Sequence, residues 1–230
     1  MRIAQIVVVS MLISVVLPAT EAGAAAKVHA IAFGRWTSVQ WFAGSGTDKP
    51  VNLKIRALVI DGRVKEYAVG APHEVTERLF VVRRAFRVND SLPQDPALRW
   101  QWERGGWLLV DRLTGHVFPI NLPEFDVLYS SASWYRDYVA YCGVSDDGKK
   151  TYAMVAQISR RKPVLKKPLS EEGVAESTAP DAACPAPSWQ RGPVRVSFEP
   201  ARGPKQTFAI RGHVVDLVND AGEDEEEASR

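Results

Sequence analysis

Leu109-Val110-Asp111-Arg112-Leu113-Thr114 and Met154-Val155-Ala156-Gln157-Ile158-Ser159 lie 45 positions apart within the stretch Trp100–Lys167. The two hexapeptides agree in residue type at most positions. Between them run Ser133-Trp134-Tyr135-Arg136-Asp137, the apolar run Tyr138–Tyr141 and the turn Asp146-Asp147-Gly148. Short apolar segments bounded by turn residues read as β-strands. A repeated segment at this spacing reads as sheet units arranged in series.

The same texture extends in both directions. Upstream, Val51, Leu53, Ile55, Ala57 and Val59 alternate with Asn52, Lys54 and Arg56. This predicts a strand with one buried face. Asp61-Gly62 follows, a pair suited to a tight hairpin whose two central residues need positive φ. Ala71-Pro72-His73 interrupts the return strand, and Gly105-Gly106 reads as a turn among Trp100, Trp102 and Trp107. The continuous apolar run Leu79–Val82 predicts a strand covered on both faces. Downstream, Val194, Val196 and Phe198 alternate before a return through Gln206–Ile210 and His213–Val218. No segment beyond the first residues carries a sustained helical stripe.

The expected fold is therefore all-β and antiparallel. The segment Ser133–Lys162 resembles a blade of the β-propeller repeats found in many exported proteins. There a Ser-Trp-x-x-Asp turn precedes a strand ending in an aromatic, then a hairpin. Here these are Ser133-Trp134-Tyr135-Arg136-Asp137 and Val139-Ala140-Tyr141, with Tyr138 where the family has glycine and Ser159-Arg160 where it has Thr-Gly. The resemblance covers Trp100–Lys167. It implies a propeller-like stack of short β-meanders, and a two-sheet sandwich or barrel is the alternative. One four-stranded sheet cannot bury both faces alone and so needs neighbours.

The ends of the chain read differently. Arg2, the apolar run Ile3–Leu17 and Ala24-Ala25-Ala26 form a secretory signal with cleavage after residue 26. The run is shorter than the roughly 20 residues of a spanning helix. The main all-β domain spans 27–168, a Pro/Ala/Ser-rich linker 169–192, a C-terminal β-hairpin 193–218 and an acidic tail 219–230. Cys142 and Cys184 are the only cysteines. In an oxidising compartment they predict one disulfide, tying the linker back to the sheet.

Candidate chemistry is sparse. His29, His73, His116 and His213 are spaced too far apart for a metal motif on one element. Ser130, Ser131 and Ser133 lack a nucleophile-elbow pattern and read as turn serines. Asp111, Asp126, Asp137, Asp146 and Asp147 are a possible carboxylate set for a secreted hydrolase, with His116 as a partner base, although Asp146 and Asp147 suit a turn. Arg83, Arg84 and Arg87 form one basic group. Arg160, Arg161, Lys162, Lys166 and Lys167 form another, suited to a solvated sheet edge or an anionic surface. A formal charge of +2 argues against nucleic acid as a partner.

Aromatics crowd the central stretch. Trp134, Tyr135, Arg136, Tyr138 and Tyr129 are the expected contact residues for a ligand or partner, because exposed aromatics beside an Arg make amphipathic contact surfaces. The expected function is an exported, non-catalytic binding or scaffolding module of the bacterial envelope. It would recognise a protein or glycan of that envelope, without cofactor or metal, and would have no transmembrane segment after signal cleavage. The alternatives are a carbohydrate-binding module and a secreted hydrolase.

Overall fold

A computed structural model describes residues 29–41, 50–91, 93–94, 97–170, 184–200, 203–211 and 214–218. The segment expected to be a signal, the interior of the stretch expected to be a linker and the acidic tail lie outside the described residues. The architecture is all-β, with one seven-stranded and two four-stranded sheets.

The first sheet is built from β1 (Ile31–Phe33), β2 (Thr37–Trp41), β3 (Val51–Ile60), β4 (Arg63–Glu74), β5 (Leu79–Asn89), β6 (Trp100–Asp111) and β7 (Val117–Ile120). Strands β2 to β6 pair in chain order, and β2 meets β6 in parallel at Trp41 and Trp102. That last contact closes a five-stranded ring, a barrel rather than a blade. Two apolar clusters pack on opposite faces of its strands. Leu58, Ile60, Phe80, Val82, Leu108 and Val110 form one. Trp41, Leu53, Ile55 and Ala85 form the other.

Closing so small a ring requires bent strands, and bulges supply the bends. The β3 alternation reverses along its length. Leu53 and Ile55 are buried, but so are Leu58 and Ile60, whereas Ala57 and Val59 are only half-buried. Leu53 and Ile55 therefore point to one face of β3 and Leu58 and Ile60 to the other, and the register shift between Leu58 and Val59 adds Lys65 as a bulge on β4. Ala71-Pro72-His73 does not end β4; the strand runs through to Glu74 with a register shift between Val69 and His73. Gly105-Gly106 is not a turn either. It lies within the twelve-residue strand β6, opposite the register shift between Arg83 and Ala85. A Cβ on Gly105 would come within 3.1 Å of the Phe86 ring, so glycine permits the close approach of β5 and β6 there. Asp61 and Gly62 adopt φ of 51° and 75°, as a tight hairpin demands. The Asp61 carboxylate also accepts from the Ala30 N–H (3.1 Å) and contacts His29 Nδ1 (2.8 Å), fastening β1 to the turn.

The second sheet is the meander β8 (Ala132–Tyr135), β9 (Tyr138–Val144), β10 (Thr151–Gln157) and β11 (Leu165–Ser170). The third is the meander β12 (Ser188–Arg191), β13 (Val194–Phe198), β14 (Gln206–Arg211) and β15 (Val214–Val218). Strand therefore occupies both ends of the segment whose composition suggested a linker. The described part of the C-terminal unit has four strands.

The middle sheet is covered on both faces. Val139, Tyr141, Met154 and Ala156 pack with Trp107 and Ile120 of the barrel. Ala140, Cys142, Ala153 and Val155 pack with Val196, Phe198, Phe208 and Ile210 of the third sheet. This two-sided burial explains the unbroken apolar sequences of β9 and β10. The disulfide Cys142–Cys184 joins the second sheet to the chain entering the third, with the Cα atoms 6.2 Å apart.

The two repeated hexapeptides share a local setting. Each begins in the middle strand of an antiparallel meander, β5-β6-β7 or β9-β10-β11, and runs into the following turn. One turn is closed by Gly115 N–H to Asp111 C=O (2.8 Å) and the other by Arg160 N–H to Gln157 C=O (2.9 Å). Beyond that setting the units diverge, because the first belongs to the closed barrel.

Candidate functional site

The seam between the barrel and the second sheet takes up the aromatics singled out from sequence. Trp134 on β8 meets Trp107 of β6 edge-to-face, with centroids 5.1 Å apart, and stacks on His73 of β4 at 5.9 Å. His73 Nε2 contacts the Arg136 carbonyl at 2.8 Å. Both indole N–H groups, of Trp107 and Trp134, are shut away from solvent. Tyr135 stacks on Trp189 of the third sheet at 5.5 Å, and the Trp189 indole donates to the Ser133 carbonyl (3.1 Å).

Of the five expected contact residues, Trp134 and Tyr135 thus bridge layers, and Arg136 alone is exposed. Arg136 has φ of 53° in the β8–β9 turn, and its guanidinium lies 5.5 Å from the Tyr135 ring centre. Tyr138 packs against the core between the second and third sheets. Tyr129 is half-buried in the 122–130 loop, where its N–H and that of Leu128 bond the Asp126 carboxylate.

The carboxylates hold turns. Asp126 organises its own loop. Asp137 accepts from Gln157 Nε2 (2.7 Å), and its carbonyl accepts from the Ile158 N–H. Asp147 bonds the Ser145 hydroxyl (2.6 Å) and the Lys149 N–H, and those bonds lower its pKa. Asp111 is buried and bonds Arg78, whose Nε lies 2.8 Å from Oδ1, and the Leu113 N–H (2.9 Å). The Arg78 hydrogen bond comes first among the causes holding the Asp111 carboxyl well below the usual carboxylate range. Ser130 is fully buried and donates to the Cys142 carbonyl (2.6 Å). His116 lies edge-to-face with Phe118. Among the described residues no group of three His, Cys, Asp or Glu side chains is placed to hold a metal ion. No helix there is long and apolar enough to cross a membrane.

A concave surface with different chemistry lies alongside. A cleft of about 460 Å³ opens between β7 with its following loop and the turn from β10 to β11. Leu109, Ile120, Leu122 and Ile158 contribute apolar walls, while Arg160, Arg161 and Lys162 contribute cations. Phe118, 48% exposed, also lines it. None of its lining residues is a carboxylate. The basic group is visible in the sequence, but nothing local marks β7 as the strand that folds beside it. Pro119, Pro123 and Pro163 also line the cleft.

Lys166 and Lys167 behave differently from those cations. They lie on β11, the edge of the second sheet, with Pro168 beside them. Lys166 bonds Glu124 and sits 4.5 Å from the Tyr152 ring centre. Cationic side chains and a proline at an edge discourage sheet-to-sheet association.

Comparison with protein-family models, characterised proteins and solved structures found no match for this chain. The blade resemblance rests on the residues quoted for it, and the functional reading rests on the geometry of the site.

Proposed function

We propose that the chain is an exported, non-catalytic binding or scaffolding module of the bacterial envelope. The observation that carries this reading is the cleft beside β7, a concavity with apolar walls and cations but no nucleophile–base pair in its lining. The Cys142–Cys184 disulfide supports export, because such bonds persist in oxidising compartments. The central aspartates favour binding over hydrolysis, since Asp111, Asp126, Asp137 and Asp147 are all engaged in shaping turns. The partner is a protein or glycan of the envelope.

A glycan-binding reading draws on other aromatics than those first expected. Trp100, 53% exposed, and Tyr67, 36% exposed, lie on the barrel, and the Arg87 guanidinium sits 5.5 Å from the Trp100 ring centre. Exposed rings of this kind suit sugar faces.

The test is expression of the full chain in a bacterial host with a photo-crosslinking residue in place of Phe118. The expected result is a processed, oxidised protein in the envelope fraction that crosslinks to an envelope component. Unprocessed protein carrying free thiols in the cytoplasm would refute export. Hydrolysis of envelope glycan by the purified protein, abolished by Asp137→Asn, would refute the non-catalytic assignment.

A further inference from the structure

We infer that the cleft between β7 and the β10–β11 turn docks an acidic polypeptide segment bearing an apolar side chain. This deepens the binding-module reading and rests on it.

Charge complementarity is the first ground. Arg160, Arg161 and Lys162 stand in sequence on one turn, all exposed, and all line the cleft. Nearby cations are neutralised within the chain: Arg78 by Asp111, Arg112 by Glu74 and Lys166 by Glu124. No ion pair among the described residues engages Arg160, Arg161 or Lys162. With no carboxylate in the lining, the cleft presents one sign of charge, which draws and orients an anionic partner.

The second ground is that the platform is fixed. The Arg160 N–H bonds the Gln157 carbonyl (2.9 Å), the Ile158 N–H bonds the Asp137 carbonyl (3.1 Å) and the Val164 N–H bonds the Val155 carbonyl (2.7 Å). Pro163 restrains φ within the same turn. A turn tied at three points loses little backbone freedom when it is bound.

Shape then selects the kind of anion. The deeper apolar groups are recessed, with Leu122 buried and Ile120 half-buried in the walls and Phe118 exposed at the rim. A bilayer surface engages apolar groups that project, whereas a recess receives a side chain from an extended chain. Pro119 in the middle of β7 has no N–H, so full strand addition along β7 is interrupted. Recognition must therefore come from side chains, with carboxylates over the turn and one apolar residue in the recess.

The experiment uses the purified, oxidised full-length protein and a fluorescent peptide of alternating glutamate and leucine, read by anisotropy at low and physiological salt. Saturable binding that weakens with salt is expected. The triple variant Arg160→Glu, Arg161→Glu, Lys162→Glu should weaken it about tenfold, since three exposed charge contacts of modest size are lost. Phe118→Ser should weaken it about threefold with its salt dependence retained. Unchanged circular dichroism confirms that both variants fold. Wild-type protein that ignores the peptide at low salt would overturn the inference, as would a triple variant that binds like wild type. Sedimentation with phosphatidylglycerol vesicles, lost in the triple variant while peptide binding is absent, would assign the cations to lipid instead and equally overturn it. If the photo-crosslinking residue at position 118 captures an envelope component as strongly in the triple variant, this docking mode fails while the binding-module reading stands.

Discussion

The barrel and the two stacked meanders solve the same problem in different ways. Each must bury a sheet face with strands alone. The barrel curls its sheet until β2 reaches β6, and the buried members of both its apolar clusters come from its own strands. The meanders remain open, so each buries a face against a neighbour, and the middle sheet needs two neighbours. The barrel's core is therefore internal to one sheet. The stacked half depends on the fit between sheets and on a covalent tie that the barrel lacks. A closed ring can tolerate loss at its margins, whereas a stack is only as firm as each contact between its sheets.

The largest expected effect breaks the stack at its centre. Phe198 is fully buried and meets Phe208 edge-to-face at 5.9 Å within the core between the second and third sheets. Phe198→Ala should lower stability by about 3–5 kcal/mol through lost burial and the cavity left behind. Native-state hydrogen exchange sharpens the comparison. Amides of β13 and β14 should lose protection, while those of β3 and β5 keep theirs. Equal loss in both halves would show that barrel and stack unfold as one unit.

Next in size is the disulfide. Cys142 and Cys184 are 42 positions apart, so their bond restricts the unfolded chain by up to about 4 kcal/mol of loop entropy. The double variant Cys142→Ala, Cys184→Ala should lose about 2–4 kcal/mol in urea denaturation. The third sheet should open first. An unchanged midpoint would mean that the packing of Val155, Val196 and Phe208 suffices to hold the two sheets together.

The comparison also shows what was legible in the sequence. Strand class, the Asp61-Gly62 hairpin and the disulfide pairing were readable because each depends on local pattern or simple counting. The stacking of the second sheet was partly legible, since burial on both faces leaves Val139–Cys142 and Ala153–Ala156 apolar without a break. Barrel closure was not, because it depends on bends whose sequence marks are ambiguous. Gly105-Gly106 resembles a turn and is a close approach of two strands. Val51–Ile60 carries apolar residues in both alternating sets, and both faces bury some of them, so neither set alone reveals a single buried face. At the site, aromatic crowding pointed to Trp134 and Tyr135, but large flat rings also suit a seam between layers, and here they fill it. Phe118 carried no comparable signal, because its exposure follows from β7 having only β6 as a strand partner.

The smallest effect concerns how the barrel's own turn is held. Asp111 ends β6, and its Oδ1 accepts from Arg78 Nε and the Leu113 N–H. Those bonds favour the ionised carboxyl, so its folded pKa lies well below the ordinary value of about 3.9. The sign follows from linkage. Between the folded and unfolded pKa values the unfolded chain binds more protons, so stability rises with pH across that interval. The contribution is complete above the unfolded value and is lost as pH falls toward the folded one. Asp111→Asn removes the titrating group but keeps an acceptor for the Leu113 N–H. The variant should therefore be less stable than wild type at neutral pH and should approach it in acid. Exchange protection of β6 and β7 should follow that pH dependence, while β13 and β14 should not, since Asp111 touches only the barrel side. A wild-type acid limb that Asp111→Asn leaves unaltered would place the acid sensitivity elsewhere. The Glu74–Arg112 pair would then be the next candidate, because its hydrogen bonds lower the Glu74 pKa in the same direction.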